Sequence, residues 1–578
     1  MNRAVAPTLR SRTAGSQDES PAAADDSQSR KKEHRQDCLC HKVKRKVKGA
    51  QLKLAATEST ANAKSRPDAC RQAGATKSAA SGRSWLCAVN LRQKTPAATV
   101  ARVNLPAQSS PKDIPPRVRT TLRHNYLSFI EDTALTLGVM APTGTCGIVL
   151  PLLIAKGGNA TWLIFLLTLV AFSLIMYSVH RFSAQCASAG SLADFAAAGL
   201  GRTACVVTGW AYVAAMAFGA AGTAPSSAYY ADLFFRQVTG APESFPRAAG
   251  ITVIVVIVAW IIAHHDIKLS TEVMLAIELS SLAVITIIIA LAMRHDSAWL
   301  DRPQLHLEGT KLSGFQFAMV FGFMTLAGFE SVTTLGEEAS HARRTIPRVI
   351  VSCLIPVGIL YLVMIYCLTA LARKNGLALD QLNAPFDAIA RSMNLAGFGY
   401  VSSIGIALSY FACTLGSLNA GARILYYLAQ NRLFAPSFGS AHPVNKTPHR
   451  AIALIAIIAI ACPVALLLAK VLLPDCINYL TQLASFGFIA SYFLVCLAMP
   501  FFLLRRKILR GMDVAVSVVA LLMLAVVLAL SVFPVPAAPW RYLPYLFLAT
   551  VLTGIAISAL YSRSSDPQPA PDASDARI

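Results

Sequence analysis

The sequence predicts an all-α polytopic membrane protein, a bundle of about 12 transmembrane helices, and three observations support this. Hydrophobic residues make up 55% of the 578 and charged ones only 14%, with a mean hydropathy of +0.52, too apolar for a soluble globule of this size. Apolar runs close to the ~20 residues that cross a bilayer as a helix recur from residue 133 onward. Nothing alternates with period two over barrel-strand lengths, which leaves a helical bundle.

Residues 1–124 come first and read differently. They hold 25 Lys and Arg against 9 Asp and Glu, a net of +16 out of +22 for the whole chain. Rich in Ser and Ala, nearly without aromatics and lacking a sustained period, this segment is expected to be a basic, disordered cytoplasmic tail. It has no apolar core of signal-peptide length, so no cleaved signal is expected. Its KVKRKVK run, Lys42 to Lys48, is the kind of cluster that anionic lipid or nucleic acid attracts. The same composition describes a solvated tail or an over-extended start of translation, and no nucleic-acid partner is expected. In HRQDCLCH, His34, Cys38, Cys40 and His41 lack the usual cysteine gap and second ligand pair of a zinc site, so no metal is expected.

The spans then follow at about 133–156, 160–182, 203–232, 248–265, 271–293, 314–336, 348–372, 398–430, 450–471, 476–502, 512–533 and 542–562, within a transporter domain at 125–562. A short tail, 563–578, closes the chain. Arg117, Arg119 and Arg123 before the first span keep the N-terminus in the cytoplasm, and an even span count returns the C-terminus there. The loops after even-numbered spans agree in carrying Arg343, Arg344 and Arg348, then Lys446 and Arg450, then Arg505, Arg506, Lys507 and Arg510. The expected location is the cell inner (plasma) membrane. Of 13 cysteines, the nine beyond the tail fall mostly within spans, with no pairing pattern.

Two spans are interrupted. The first contains APTGTCG, residues 141–147, with Pro142, Gly144 and Gly147 inside seven residues, and is expected to unwind there. The sixth breaks around LAGFES, residues 326–331, where Glu330 sits at mid-span. Counted as two repeats of five helices plus two more, both breaks fall in the first helix of a repeat, which points to a substrate site in an inverted-repeat transporter. Exposed backbone at mid-membrane is tolerable only where it lines a cavity or is buried in protein. Free N–H groups at a half-helix start suit a carboxylate, and free carbonyls at a half-helix end suit an ammonium. The expected ligand is therefore an α-amino acid, its carboxylate facing Thr143, Gly144 and Thr145 and its amine facing the carbonyls of Leu326, Ala327 and Gly328.

GFESVTTLGEEASHARRTIPRVI and SLNAGARILYYLAQNRLFAPSFGSAHPVNKTPHRAIAL, residues 417–454 in the second case, resemble the sixth and eighth spans of the amino acid-polyamine-organocation (APC) superfamily of permeases. The likeness runs from about 121 to 562. It implies a LeuT-type 5+5 inverted repeat with helices 1 and 6 broken, alternating access, and small amines or amino acids bound between those helices. It also puts Glu330 where relatives hold a carboxylate implicated in proton response, and ionisable groups inside a membrane are functional by default. Many proton-coupled relatives carry a Lys in the fifth span. Here EVMLAIELSSLAVITIIIA offers Glu278 and Ser281 instead. Glu278 is thus a second candidate proton carrier, and Ser281, Thr414 and Ser417 could give hydroxyls to sodium. Where some relatives have a gating aromatic this chain has Met324, so the gate is assigned to Phe323 and Met324, with Phe329 beside them. A neutral substrate side chain would want walls such as Phe329, Tyr212 and Met324; a cationic one would want Glu278.

The function expected is a secondary active transporter of amino acids or related amines, coupled to protons. The alternatives are a membrane sensor of the same ligands and an amino acid exchanger. A channel would need a continuous polar face on several helices. Nothing matches HExxH, GxxxxGK[ST] or GxSxG, so neither an enzyme nor a cofactor is expected. The expected partners are a small-molecule substrate, H+ or Na+ as coupling ion, and membrane lipid, with the protein a monomer or homodimer.

Overall fold

The computed structural model describes residues 121–308, 319, 321–377, 384–533 and 535–563. The basic run, the His/Cys stretch, the first residues of the sixth span and most of the final tail lie outside them. Among the described residues the chain is helical, and its only strand-like feature is an isolated parallel bridge between Leu127 and Ala339.

The first span is two helices, α1 (Phe129–Met140) and α2 (Pro142–Gly157), followed by α3 (Thr161–Ser183). A short α4 (Ser191–Leu200) leads into the long α5 (Arg202–Thr239), then α6 (Phe245–His265) and α7 (Ile267–His295). After the sixth span come α8 (Ala342–Lys374), a short α9 (Pro385–Ser392), α10 (Ala396–Gln430), α11 (His449–Leu468), α12 (Leu473–Arg505), α13 (Gly511–Val532) and α14 (Leu543–Arg563). Ten described stretches are long and apolar enough to cross a membrane, the first being the whole 55-residue run 129–183. Most helices outlast the apolar runs that announce them. For example, α8 starts at Ala342, not 348, and ends at Lys374, because Arg and Lys can remain helical while their charged heads reach the membrane surface. The two short helices, ten and eight residues long, give too little periodic sequence to be read in advance.

α5 and α10 form the centre. Of their membrane windows, 72% and 78% lie inside the protein, against 22% for α6 and α13, which face outward. Small residues allow this crowding, since Gly and Ala let helix backbones approach closely. Gly487 of α12 shows the limit: a Cβ there would stand 2.5 Å from the Ala211 carbonyl oxygen of α5 and 2.9 Å from the Ala215 Cβ. Part-buried ion pairs tie the periphery. Asp513 accepts from Arg181 at 3.0 Å and from the Tyr177 hydroxyl at 2.6 Å, joining α13 to α3, and Asp301 pairs with Arg373 at 2.8 Å.

Gly487→Val is expected to destabilise the protein by about 1–3 kcal/mol, the usual cost of overpacking, seen as a lower thermal unfolding midpoint in detergent. An unchanged midpoint would mean that the two helices are not in backbone contact.

Candidate functional site

The break in the first span is a single residue. Ala141 takes up left-handed geometry, φ 43° and ψ 61°, and helix resumes at Pro142. Proline suits a first helical position because its missing N–H would have no partner there. A non-glycine residue held in this region costs on the order of 1–3 kcal/mol, so the surroundings must hold it there. Gly144 and Gly147 stay inside α2. Their role is close approach, since a Cβ on either would meet the Tyr410 ring at 3.0 Å or the Ile406 side chain at 2.7 Å.

The amides at the start of α2 are all engaged. Thr143 N–H donates to Glu278 Oε1 at 2.8 Å, Gly144 N–H to Ser409 Oγ at 3.0 Å, and Thr145 N–H to the Ala141 carbonyl at 2.9 Å. Ser409 in turn donates to Glu278 Oε2 at 2.7 Å. A carboxylate from α7 and a hydroxyl from α10 thus cap the half-helix, where both the dipole and the orphan donors favour negative charge.

The sixth span leaves its helix after Leu326 and turns through residues 327–330, with Gly328 at φ 95°. It then continues as a 3-10 segment, Ser331–Leu335. At Gly328 a Cβ would be strained and would also strike the Val139 side chain at 2.6 Å. Glu330 is fully buried and accepts from the Tyr492 hydroxyl of α12 at 2.5 Å, while Gly328 N–H reaches that hydroxyl at 3.3 Å. The Tyr212 hydroxyl approaches the same carboxylate without hydrogen-bond geometry.

A cavity lies between the breaks. Val139, Met140, Ala141 and Thr145 line it from the first span, Met324 and Ala327 from the sixth, and further residues from α5, α10 and α12. Its lining climbs α2 to Leu152 and reaches Ile477 near the start of α12, so it extends toward the membrane face where α2 ends. Below its floor, toward the opposite face, sits the Glu330–Tyr492–Tyr212 group. Deeper still, Arg423 of α10 forms a fully buried pair with Glu338, through Nε–Oε2 at 2.5 Å and Nη2–Oε1 at 3.1 Å. Arg423 also donates to the Asn419 carbonyl at 2.9 Å. The Glu338 carbonyl accepts Tyr126 N–H at 2.7 Å and Leu127 N–H at 3.0 Å, and Ser340 N–H donates to the Leu127 carbonyl at 2.8 Å. These bonds join the approach to α1, the exit of the sixth span and α10.

With this geometry in hand, a family model described as amino acid permease matches residues 133–561. The chain belongs to the amino acid permease family. Among relatives, the permease is 24% identical over 349 residues to an uncharacterized transporter of Mycobacterium tuberculosis, spanning 59% of this chain and 73% of that one. It is 23% identical over 348 residues to the vacuolar cationic amino acid transporter 4 of Arabidopsis thaliana, covering 58% and 57%. It is 26% identical over 398 residues to the mouse cationic amino acid transporter 4, covering 65% and 59%.

The permease distributes the residues singled out in its sequence unevenly. Thr145, Ala327, Met324 and Ser417 line the cavity. Thr143 and Gly144 lie behind it, bound to Glu278 and Ser409, while Leu326 and Gly328 belong to the turn. Phe323 and Phe329 are buried against Phe172, at ring-centroid distances of 4.8 and 5.9 Å. Thr414 bonds Thr223 at 2.9 Å, but Ser281 lies beside Gly405. Gly405 is nine residues before Thr414, roughly 13 Å along α10, so these hydroxyls do not converge. Sequence reasoning did not pick out Ser409, Cys413 and Tyr492. Cys413 lines the cavity and donates from Sγ to the Val139 carbonyl at 3.0 Å. The available signal was a polar tip in an otherwise apolar span, as in FIASYFLV and ALSYFACT.

Arg423→Ala is expected to cost about 3–5 kcal/mol in thermal or denaturant unfolding, because it strands a buried carboxylate, whereas the double change Arg423→Met with Glu338→Leu costs far less. Equal losses would show that the pair does not act as a unit.

Proposed function

We propose that the chain is a secondary active transporter that carries amino acids or related amines across the cell membrane by alternating access, coupled to protons. The observation behind this reading is a cavity bounded by two helix breaks and extending toward one face, with a fully buried Arg423–Glu338 pair on the other side of it, which we take to be the closed gate. Such a pair can be undone by moving α1 and the end of the sixth span away from α10. Counting the first long apolar run as two spans and adding the broken sixth to the other nine brings the total to twelve, which agrees with our reading of a 5+5 repeat plus two helices in a transporter domain at 125–562.

Glu330 and Glu278 are the candidate proton carriers. Each is buried, each holds one broken span to an intact helix, and neither has a cationic partner among the described residues. Loss of a hydrogen bond on protonation would loosen its break, which links proton occupancy to the motion. Sodium is less well served, because Ser281 lies apart from Thr414 and Ser417. On this reading residues 126–127 and 338–340 face the cytoplasm, consistent with the basic segment preceding α1.

Reconstitution in liposomes tests this. Uptake of labelled amino acids and amines should rise with an inward proton gradient and not with sodium, and Glu330→Gln should reduce the gradient-driven component by about 5- to 150-fold, the range that 1–3 kcal/mol of lost coupling represents. Binding without uptake or exchange would overturn the transporter reading in favour of a sensor. Gradient-driven uptake unchanged in the variant would remove Glu330 from coupling.

A further inference from the structure

We infer that the substrate is an organic ammonium without an α-carboxylate, an amine and not the amino acid from which it derives, because the protein itself already fills the place where a substrate carboxylate would bind. This rests on the transporter reading and names the substrate class of the same cavity.

The first support is the state of the α2 N-terminus. A carboxylate entering this low-dielectric region needs donors, and the half-helix is the natural source. Its Thr143 and Gly144 amides are taken by Glu278 and Ser409, its Thr145 amide by Ala141, and Pro142 has none. Glu278 therefore stands where the second anion would go.

The second is the charge inventory. Among the described residues Arg423 is the only fully buried cation, and Glu338 occupies it. Among the described residues no Lys, Arg or His lines the cavity, whose polar surface comes from Thr145, Thr223, Ser226, Ser417, Asn478 and Thr481 with the Tyr410 ring. Three buried carboxylates nevertheless lack a cation: Glu278 and Glu330, which hold the two breaks behind the cavity lining, and Asp132, which lies near Glu338 and away from the cavity. Both Asp132 oxygens and Glu330 Oε1 have no hydrogen-bond partner. Protonation would discharge these groups but would supply no cation.

The third is the opposite pole of the break. α1 ends at Met140 with its carbonyl end toward the cavity, and Val139 and Met140 line it. A helix C-terminus carries partial negative charge. Cys413 and Thr145 each donate to one of these carbonyls, which leaves each a second lone pair. An ammonium thus finds carbonyl and hydroxyl acceptors and a negative field, while a carboxylate in the same space finds neutral hydroxyl and amide donors but neither a cation nor a free backbone amide.

The test uses matched pairs that differ only in the α-carboxylate: tyramine and tyrosine, agmatine and arginine, cadaverine and lysine. Binding is followed by calorimetry on the purified full chain and uptake in liposomes. The amine of at least one pair should bind about tenfold or more tighter than its amino acid, the factor that ~1.4 kcal/mol represents. Glu278→Ala, which frees the Thr143 amide, should narrow that ratio. Glu278→Ala also removes a buried cap, so Glu278→Gln, which keeps an acceptor for the Thr143 amide and should leave the ratio near that of wild type, and the wild-type ratios themselves provide independent readouts. Amino acids that bind as well as, or better than, their amines in wild-type protein overturn the inference while leaving the transporter reading intact. Preferential binding of amines with no uptake or exchange sustains the inference and overturns transport.

Discussion

No backbone N–H or C=O can be left without a partner in hydrocarbon, and the architecture around the cavity follows from that constraint. Breaking a helix at mid-membrane strands up to four donors on one side and four acceptors on the other. Here side chains from intact helices make the first break tolerable. Glu278 and Ser409 close the α2 amides, and Cys413 and Thr145 reach the Val139 and Met140 carbonyls. The second break is held by Tyr492 and Glu330. α7, α10 and α12 thus support two spans that could not keep their shape alone.

The same dependence makes a moving part possible. A helix break held by one or two hydrogen bonds to a titratable carboxylate is marginally stable by construction, and marginal elements shift with small changes in charge or ligand. The Arg423–Glu338 pair belongs to this logic. Buried ion pairs are poor sources of stability compared with apolar packing, but they are strongly directional, and one that bridges α10 and the exit of the sixth span specifies a single closed arrangement. Along α10 the Ser409–Glu278 contact, the cavity-lining Tyr410, Cys413 and Ser417, and Arg423 follow one another in that order.

Much of this was legible in the chain. Long apolar runs, Pro142 and the Gly328–Glu330 turn announced a helical membrane protein with two interrupted spans. The detail of the breaks was not legible, because it depends on partners far away in sequence: Glu278 is 135 residues from Thr143, and Tyr492 is 162 from Glu330. Local propensity also misled. Gly144 and Gly147 look like helix breakers, yet they sit inside α2 because neighbouring side chains leave no room for a Cβ, and Ala141, a strong helix former, is the residue that leaves the helix. The free amides expected at Thr143 and Gly144 are occupied for the same reason, since nothing near them in sequence shows that Glu278 arrives there.

The central claim is that one cavity between two broken helices is reachable from a single side while the Arg423–Glu338 pair is intact. Sided labelling tests it most directly, using Ala327→Cys in a protein whose other cavity thiol is removed by Cys413→Ala, probed in oriented vesicles with a membrane-impermeant thiol reagent. The account predicts reaction from the face where α2 ends and protection from the other, with the second face becoming reactive when Arg423 and Glu338 are both neutralised. Equal reaction from both faces with that pair intact, or none from either, would contradict it.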